Sequence, residues 1–293
     1  MLRWRILLGA VFIAVLVGLL WADFVTSPPA VWLFVLSLGV GLLAANEIVT
    51  LLDAAGYQPL SAVIYGGTLL VIASNAIPLF WLSVPDERPV DGLGWPLLAF
   101  AISTLLALIG EMRRYEQPGQ VIVNTALAIF GVAYVGVLTS FALQLRVLGG
   151  PESGMVGLIS LLVVVKLGDV GAYTVGRLFG RHKMAPRISP GKTLEGAVGA
   201  ILFACLGAWL VFNYLAPELN CPRPHIALGW IVFGVVVGGA GLLGDLAESL
   251  LKRDLGAKDS STWLPGFGGV LDLLDSILFA APVAYLCWLL QLH

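Results

Sequence analysis

The sequence predicts an all-α membrane protein, a polytopic helical bundle of about nine transmembrane helices with a cytoplasmic N-terminus. Of its 293 residues, 59% are hydrophobic and 12% are charged, which is far from the composition of a soluble domain. Nearly every stretch of about 20 residues is apolar enough to cross a bilayer. The basic residues are also distributed unevenly along the chain, in a way that indicates which loops face the cytoplasm.

Nine apolar runs are separated by segments rich in Gly, Pro and charged residues. We expect the spans near residues 6–22, 30–52, 60–82, 95–110, 121–145, 155–178, 194–215, 226–250 and 268–290. The first run follows Arg3 and Arg5, and no convincing small-residue cleavage site follows it. This favours an uncleaved span over a signal peptide.

Lys and Arg accumulate in cytoplasmic segments, so they test the number of spans independently of hydropathy. With the N-terminus inside, three basic residues fall outside, Arg88, Arg146 and Arg223, and twelve fall inside. The twelve are Arg3, Arg5, Arg113, Arg114, Arg177, Arg181, Lys183, Arg187, Lys192, Lys252, Arg253 and Lys258. The C-terminus is then predicted to lie outside.

The chain divides into two parts of different character. Residues 1–150 are expected to form about five spans with few polar groups, and residues 151–293 about four, which carry most of the ionisable groups. Cytoplasmic loops are predicted at 179–193 and 251–267. Glu47 in the second span is an exception, because a carboxylate in a membrane helix is costly. We favour a structural role for Glu47, snorkelling or hydrogen-bonded, over a direct role in a site.

The composition excludes several classes of partner and site. Sixteen basic and eighteen acidic residues nearly balance, so nothing indicates a nucleic-acid partner. Cys205, Cys221 and Cys287 lie far apart without a C-x-x-C pair, so neither a zinc site nor a disulfide framework is indicated.

The sixth span and the segment after it contain the first group of candidate residues. Lys166 and Asp169 are three residues apart, so they share a helical face and can form an ion pair. Residues 181–196 are the most basic tract, and the positive-inside bias explains its Arg and Lys but not Glu195. Gly191-Lys192-Thr193 resembles the end of a P-loop, but the first glycine of that motif is replaced by Pro186. The tract is therefore not a Walker A motif.

The last two spans contain a second group, of carboxylates. Asp245, Glu248 and Lys252 fall on one stripe of the eighth span, and Asp272 and Asp275 lie one turn apart at the start of the ninth. Several carboxylates near a low-dielectric boundary cannot all stay ionised without compensation, which a divalent cation provides. Oxygen ligands in a phosphate-handling setting favour Mg²⁺.

Two functions use intramembrane carboxylates in this way. A proton or cation path needs them near the bilayer midplane, whereas these lie beside predicted cytoplasmic loops. Their basic neighbours, Lys192, Lys252, Arg253 and Lys258, suit a triphosphate. The residues themselves therefore favour nucleotide chemistry over transport.

These motifs resemble the signature of the phosphatidate cytidylyltransferase family. The order S-x-x-K-R, K-D and P-G-x-G-G-x-x-D-x-x-D-S is carried by Ser249, Lys252, Arg253, Lys258, Asp259, Pro265, Gly268, Gly269, Asp272 and Asp275. The stretches 169–177 and 189–196 also match that family in order and spacing. The resemblance covers residues 160–285.

The resemblance implies Mg²⁺-dependent transfer of CMP from CTP to phosphatidate, giving CDP-diacylglycerol and pyrophosphate. The site would face the cytoplasm at a bacterial inner membrane. The catalytic residues would be Asp245, Asp259, Asp272, Asp275 and Lys258, with Asp245, Asp272 and Asp275 as metal ligands. The substrate-binding residues would be Asp169, Ser189, Lys192, Thr193, Glu195, Glu248, Lys252 and Arg253. A second cation stays open, a homodimer is favoured, and Ser189, Thr193 and Ser249 are expected to be helix caps or phosphate donors.

Two residues depart from the family pattern. Phe267 stands where the family usually has histidine, and Leu273 where it usually has arginine. Three interpretations follow: an enzyme compensated by other residues, a shift to another lipid phosphate such as a polyprenyl or ether-lipid one, or a degenerate scaffold with the same fold.

Overall fold

The structure is a computed structural model that describes residues 2–78, 92–221, 228–261 and 268–292. Most of these residues are helical, as the all-α prediction requires. The helices are α1 (Leu2–Val25), α2 (Val31–Ala54), α3 (Ser61–Ser74), α4 (Gly94–Arg113), α5 (Val121–Gly131), α6 (Leu138–Val147), α7 (Pro151–Phe179), α8 (Leu194–Leu210), α9 (Ala216–Glu218), α10 (Gly229–Asp254) and α11 (Val270–Leu289). Short π-helical segments, Val132–Val137 and Val211–Leu215, connect α5 to α6 and α8 to α9.

Seven helical segments within the described residues are long and apolar enough to cross a membrane. They are Val31–Ala54, Gly94–Arg113, Val121–Val147, Pro151–Phe179, Leu194–Glu218, Gly229–Asp254 and Val270–Leu289. Two shorter apolar helices cover Gly9–Val25 and Ser61–Ser74. The polytopic membrane fold is therefore confirmed, while the count of nine spans and the cytoplasmic N-terminus stay predictions.

The segment 179–193, which we predicted as a loop, contains a small hairpin. Strand β1 (Lys183–Ala185) pairs antiparallel with β2 (Ser189–Thr193). The Leu194 backbone N–H then donates to the His182 carbonyl at 2.9 Å. Backbone pairing satisfies polar groups at a helix-to-helix connection that a loose loop would leave to water, which is why strands form in an otherwise helical chain.

The other predicted loop, 251–267, begins later than expected. Helix α10 continues to Asp254, and Gly256 follows it with a φ of +72°. A glycine in this left-handed conformation just after the last turn is a common helix C-terminus. Residues 262–267 of this segment lie outside the part of the chain that the structure describes.

The chain forms two compact units. The first contains Met1–Gln144 and Leu255–Asp272, and the second contains Leu145–Asp254 and Leu273–His293. The three boundaries fall inside or at the end of helices, and each unit consists of two separate stretches of sequence.

In the first unit, a buried side chain from α1 caps the N-terminus of α2. Ala30 precedes this helix and provides no side-chain cap. The Asp23 carboxylate, 2% exposed, instead accepts hydrogen bonds from the backbone N–H groups of Ala30, Trp32 and Leu33. A carboxylate at a helix N-terminus also interacts favourably with the helix dipole.

Deeper in the same unit, α3 and α6 are joined by a polar contact. The buried Asn75 amide donates to the Ser140 hydroxyl at 2.9 Å and accepts from the Gln144 amide at 2.9 Å. Hydrogen bonds of this kind hold transmembrane helices together where apolar packing alone gives little specificity.

In the second unit, α7 and α8 approach through small residues, as the glycines of this region predict. A Cβ added at Gly199 would lie 2.7 Å from the Gly171 carbonyl oxygen and 2.5 Å from Val175 Cβ. Only a residue without a side chain permits this backbone approach.

We predict that Gly199→Ala lowers the melting temperature of the purified protein in detergent. Alanine adds about 1 kcal/mol of helix propensity, but overpacking a tight interface costs about 1–3 kcal/mol. The matched control is Gly239→Ala in α10, where the nearest atom to a new Cβ is 3.9 Å away. It should leave the melting temperature unchanged or raise it, and an equal drop in both variants would contradict the close α7–α8 contact.

Candidate active site

The second unit holds a group of charged residues from four elements, which we call the aspartate cluster. It consists of Asp169 of α7, Asp245 of α10 and Asp275 of α11, with Lys166 of α7 and Lys192 of β2. The charges of Asp245 and Lys166 both act on Asp169 and Asp275. Three carboxylates face two ammonium groups, which leaves one uncompensated negative charge within the cluster when all five are ionised.

The hairpin contributes one of the two cations. Lys192 Nζ lies 2.8 Å from Asp245 Oδ1, and the Asp245 side chain is 39% exposed. Placing Lys192 on the second strand fixes its backbone, so its side chain reaches α10 from a defined position. The hairpin therefore supplies the Lys192 ammonium to the cluster.

A close contact between α10 and α11 brings Asp245 near Asp275. A Cβ at Gly244 would lie 2.7 Å from the Asp275 carbonyl oxygen and 3.2 Å from Ser276 Cα. Asp275 is 5% exposed, and its carboxylate accepts from the Ser276 hydroxyl at 3.0 Å. Glycine at 244 thus allows the backbones of α10 and α11, which carry Asp245 and Asp275, to come into contact.

The pair predicted on α7 is present. Lys166 Nζ lies 3.1 Å from Asp169 Oδ2 and 3.1 Å from the backbone carbonyl of Leu273. The ammonium group therefore connects α7 with the first turns of α11.

Other predicted binding residues of this unit form contacts around the cluster. Glu248, 1% exposed, forms an ion pair with Lys252 one turn away. Arg253 Nε donates to the Ile188 carbonyl at 3.3 Å, which holds the end of α10 against the hairpin.

The residues of the basic tract have local structural partners. The Thr193 hydroxyl accepts from the Gly196 N–H at 3.1 Å and is the N-cap of α8, as predicted. Glu195 accepts from the Arg181 N–H at 3.0 Å and lies 2.6 Å from His182 Nδ1. Ser189 begins β2. These contacts explain the Thr and Glu that a purely electrostatic interpretation of the tract left unexplained.

The first unit holds the other predicted carboxylate, Asp272. Its Oδ2 accepts three hydrogen bonds, from Gly269 N at 2.7 Å, Ser260 N at 3.1 Å and Ser260 Oγ at 2.7 Å. Lys258 and Asp259 lie exposed in the segment before Ser260.

Glu47 lies in the same group, where it is buried and hydrogen-bonded. It is 5% exposed and accepts from the backbone N–H groups of Val270 and Leu271, each at 2.8 Å. Glu47 is therefore hydrogen-bonded, while the structural role that we favoured from the sequence stays a prediction. We call Glu47, Ser260, Gly269 and Asp272 the α11 cap.

The aspartate cluster fits a magnesium ion that binds together with phosphates. Among the described residues, no three His, Cys, Asp or Glu side chains are arranged to hold a metal by themselves. Mg²⁺ usually takes one or two protein carboxylates and completes its shell with water and substrate phosphates. Asp245 and Asp275, on two helices in backbone contact, provide such a pair. The assignments of Asp245, Asp272 and Asp275 as metal ligands stay predictions.

Sequence reasoning did not identify Ser260 or the contact between Lys166 and Leu273. Ser260 directly follows Lys258-Asp259, and only that adjacency could have suggested it. The position of Lys166 beside Leu273 depends on the packing of two helices that are 107 residues apart in sequence. Phe267 and Pro265 are outside the described residues.

Comparisons with known proteins identify the family to which the chain is similar. A sequence model described as the cytidylyltransferase family matches residues 3–290. A phosphatidate cytidylyltransferase of Mycobacterium leprae is 33% identical over 92% of this chain and 82% of its own length. One from Mycobacterium bovis is 30% identical over 96% of this chain and 88% of its own, and one from Haemophilus influenzae is 40% identical over 45% of each.

Proposed function

The chain belongs to the cytidylyltransferase family, and from this premise we propose that it transfers CMP from CTP to phosphatidate. The products are CDP-diacylglycerol and pyrophosphate. The observation that carries the proposal is the aspartate cluster, in which helices of a membrane protein present carboxylates and ammonium groups together. The names of the similar proteins support the same reaction.

The reaction requires little covalent participation by the protein. A phosphate oxygen of phosphatidate forms a bond to the α-phosphorus of CTP, and the bond from that phosphorus to pyrophosphate breaks, with the electron pair leaving on pyrophosphate. The lipid phosphate is already anionic near neutral pH, so no strong general base is needed. Positioning the two reactants is then a major source of rate enhancement.

The residues of the cluster suit this task. Lys192 and Lys166 are cations that can hold phosphate oxygens through charge-assisted hydrogen bonds. Asp245 and Asp275 would hold Mg²⁺, which when bound neutralises charge on the phosphates. The roles that the resemblance implies for Asp259, Asp272 and Lys258 remain part of the proposal.

Lys166 also offers an answer to the departure at Leu273. Its ammonium group contacts the backbone carbonyl of this residue, so a cation lies beside the position at which the family usually has arginine. We propose that Lys166 provides that positive charge from α7. This supports a compensated enzyme over a degenerate scaffold.

The membrane setting follows from the same proposal. CTP is a cytoplasmic metabolite, so the site would face the cytoplasm. The similar proteins come from bacteria, which suggests a bacterial inner membrane. The two acyl chains of the lipid would stay in the bilayer, which requires a site open to the side. A homodimer remains a prediction.

We predict that Asp245→Asn lowers CTP turnover by at least about 100-fold, more than is usual for a residue that merely supports a ligand. The assay follows labelled CTP into lipid-linked CMP, with purified protein in phosphatidate micelles and with or without Mg²⁺. The matched control is Asp254→Asn, an exposed acid at the end of the same helix, which should keep wild-type turnover.

Turnover without Mg²⁺, or full activity in Asp245→Asn, would contradict the proposed role of the metal and its ligand. If folded wild-type protein makes no product from phosphatidate but does from a polyprenyl phosphate, the lipid assignment is wrong and the nucleotide chemistry stands.

We predict that Lys166→Met lowers kcat/KM for CTP by about 10- to 100-fold, because hydrogen bonds to charged groups contribute about 1.5–3 kcal/mol. Adding Leu273→Arg to this variant should restore part of the loss, since it returns a cation to the same turn of α11. The control pair is Lys166→Met with Leu274→Arg, which points an arginine about 100° away around the helix. Equal activity of the two double variants would count against a compensating role for Lys166.

A further inference from the structure

Helix α11 begins without a capping side chain of its own. Gly269 is the residue before the helix, and the first N–H groups of any helix lack partners within it. Asp272, three residues further on, accepts from the Gly269 N–H at 2.7 Å, which is one half of a capping box. The other half requires a side chain at position 269, and glycine has none.

Glu47 of α2 takes the place of an N-cap side chain, but it accepts from the first two donors of the helix instead of the third. One carboxylate oxygen, Oε1, accepts from the Val270 N–H, and the other, Oε2, from the Leu271 N–H, both at 2.8 Å. These are the first two N–H groups inside the helix. A negative charge in this position also interacts favourably with the helix dipole.

Ser260 ties the two carboxylates together. Its hydroxyl oxygen lies 3.0 Å from Glu47 Oε2 and 2.7 Å from Asp272 Oδ2. The hydroxyl carries one proton, so its position depends on both acids at once. Removing either acid therefore alters the surroundings of the other.

The geometry also explains why no ordinary cap is present. A Cβ at Gly269 would overlap the Glu47 carboxylate and the Ser260 hydroxyl. A Ser, Thr, Asp or Asn at this position would need the space that Glu47 occupies. The carboxylate from α2 and the glycine thus require each other.

We propose that Glu47 is a positioning residue for Asp272, acting through the first turn of α11 and the Ser260 hydroxyl. The inference rests on the proposed function, in which Asp272 takes part in transfer. Glu47 does not touch substrate in this scheme. It fixes the start of the helix, and with it the direction of the Asp272 carboxylate.

The test compares two buried acids that cap helices in the same unit. Glu47→Gln puts an amide N–H₂ against a backbone donor, so kcat should fall about 10- to 100-fold, as is usual for residues that orient a functional side chain, with less change in KM for CTP. Asp23→Asn likewise replaces one of the two acceptor oxygens in the cap of α2. It should lower the melting temperature but leave kcat of the folded protein unchanged.

A second variant keeps the test decisive if Glu47→Gln folds poorly. Ser260→Ala removes the shared hydroxyl at little cost in volume and should also lower kcat. Because the two side chains belong to one network, the double variant should lose less than the product of the two single losses. Wild-type kcat in Glu47→Gln, or fully multiplicative losses, would overturn the proposal.

Amide hydrogen exchange separates this inference from the proposed function. Glu47→Gln should speed exchange at residues 269–271, and Asp23→Asn at residues 30–33 instead. A wild-type protein that makes no product would defeat the proposed function alone, and the exchange result would still decide on the cap. Unchanged exchange at 269–271 would show that Glu47 does not hold the start of α11.

Discussion

The backbone N–H groups at the start of each helix are the constraint on which this structure depends. In an apolar surrounding these donors cannot be left to water, and each unsatisfied one costs several kcal/mol. Among the helices that begin without a capping side chain are α2, which follows Ala30, and α11, which follows Gly269. In both, a carboxylate from another helix of the same unit accepts the donors. Asp23 and Glu47 thus supply, through tertiary contacts, the acceptors that the residues before these two helices lack.

The same need for partners organises the charges of the second unit. An ammonium group and a carboxylate that leave water together lose less solvation than either would alone, provided that they meet at close range. Lys166 with Asp169 and Lys192 with Asp245 meet this condition at 3.1 and 2.8 Å. A nucleotide's phosphates would exchange places with these internal partners, so little new desolvation is required when the substrate binds.

Much of the fold could be predicted from composition and hydropathy, because a long apolar helix appears in the sequence as a long run of apolar residues. Lys166–Asp169 and Glu248–Lys252 were also visible, since helical spacing alone brings such residues together. The strands 183–185 and 189–193 were not visible. They arise from how α7 and α8 are joined, and nothing in the local pattern alternates in the way that a strand requires.

The site was predictable in its residue types and less so in its contacts. The acidic stripe of α10 and the two aspartates of α11 indicated a cation and phosphates, and the structure adds the pairings. Glu47 lies more than two hundred residues before the helix that it caps. A contact over this separation cannot be predicted from the spacing of residues in the sequence. One feature was nevertheless present: Gly269 has no side-chain oxygen, so the first N–H groups of α11 need acceptors from outside the helix.

The partners of a carboxylate distinguish acids that hold the fold from acids that can bind a ligand. Exposure alone does not, because Asp275, a proposed metal ligand, is as buried as Glu47. Asp23 and Glu47 are 2% and 5% exposed, and backbone donors surround both of their carboxylates. Asp169 and Asp245 keep 39% of their side chains exposed and pair with flexible lysines. A lysine can move away when a phosphate or a cation arrives, whereas a helix start cannot. A carboxylate in a membrane helix is therefore best interpreted through the mobility of its partners, which sets how readily it can change them during a reaction.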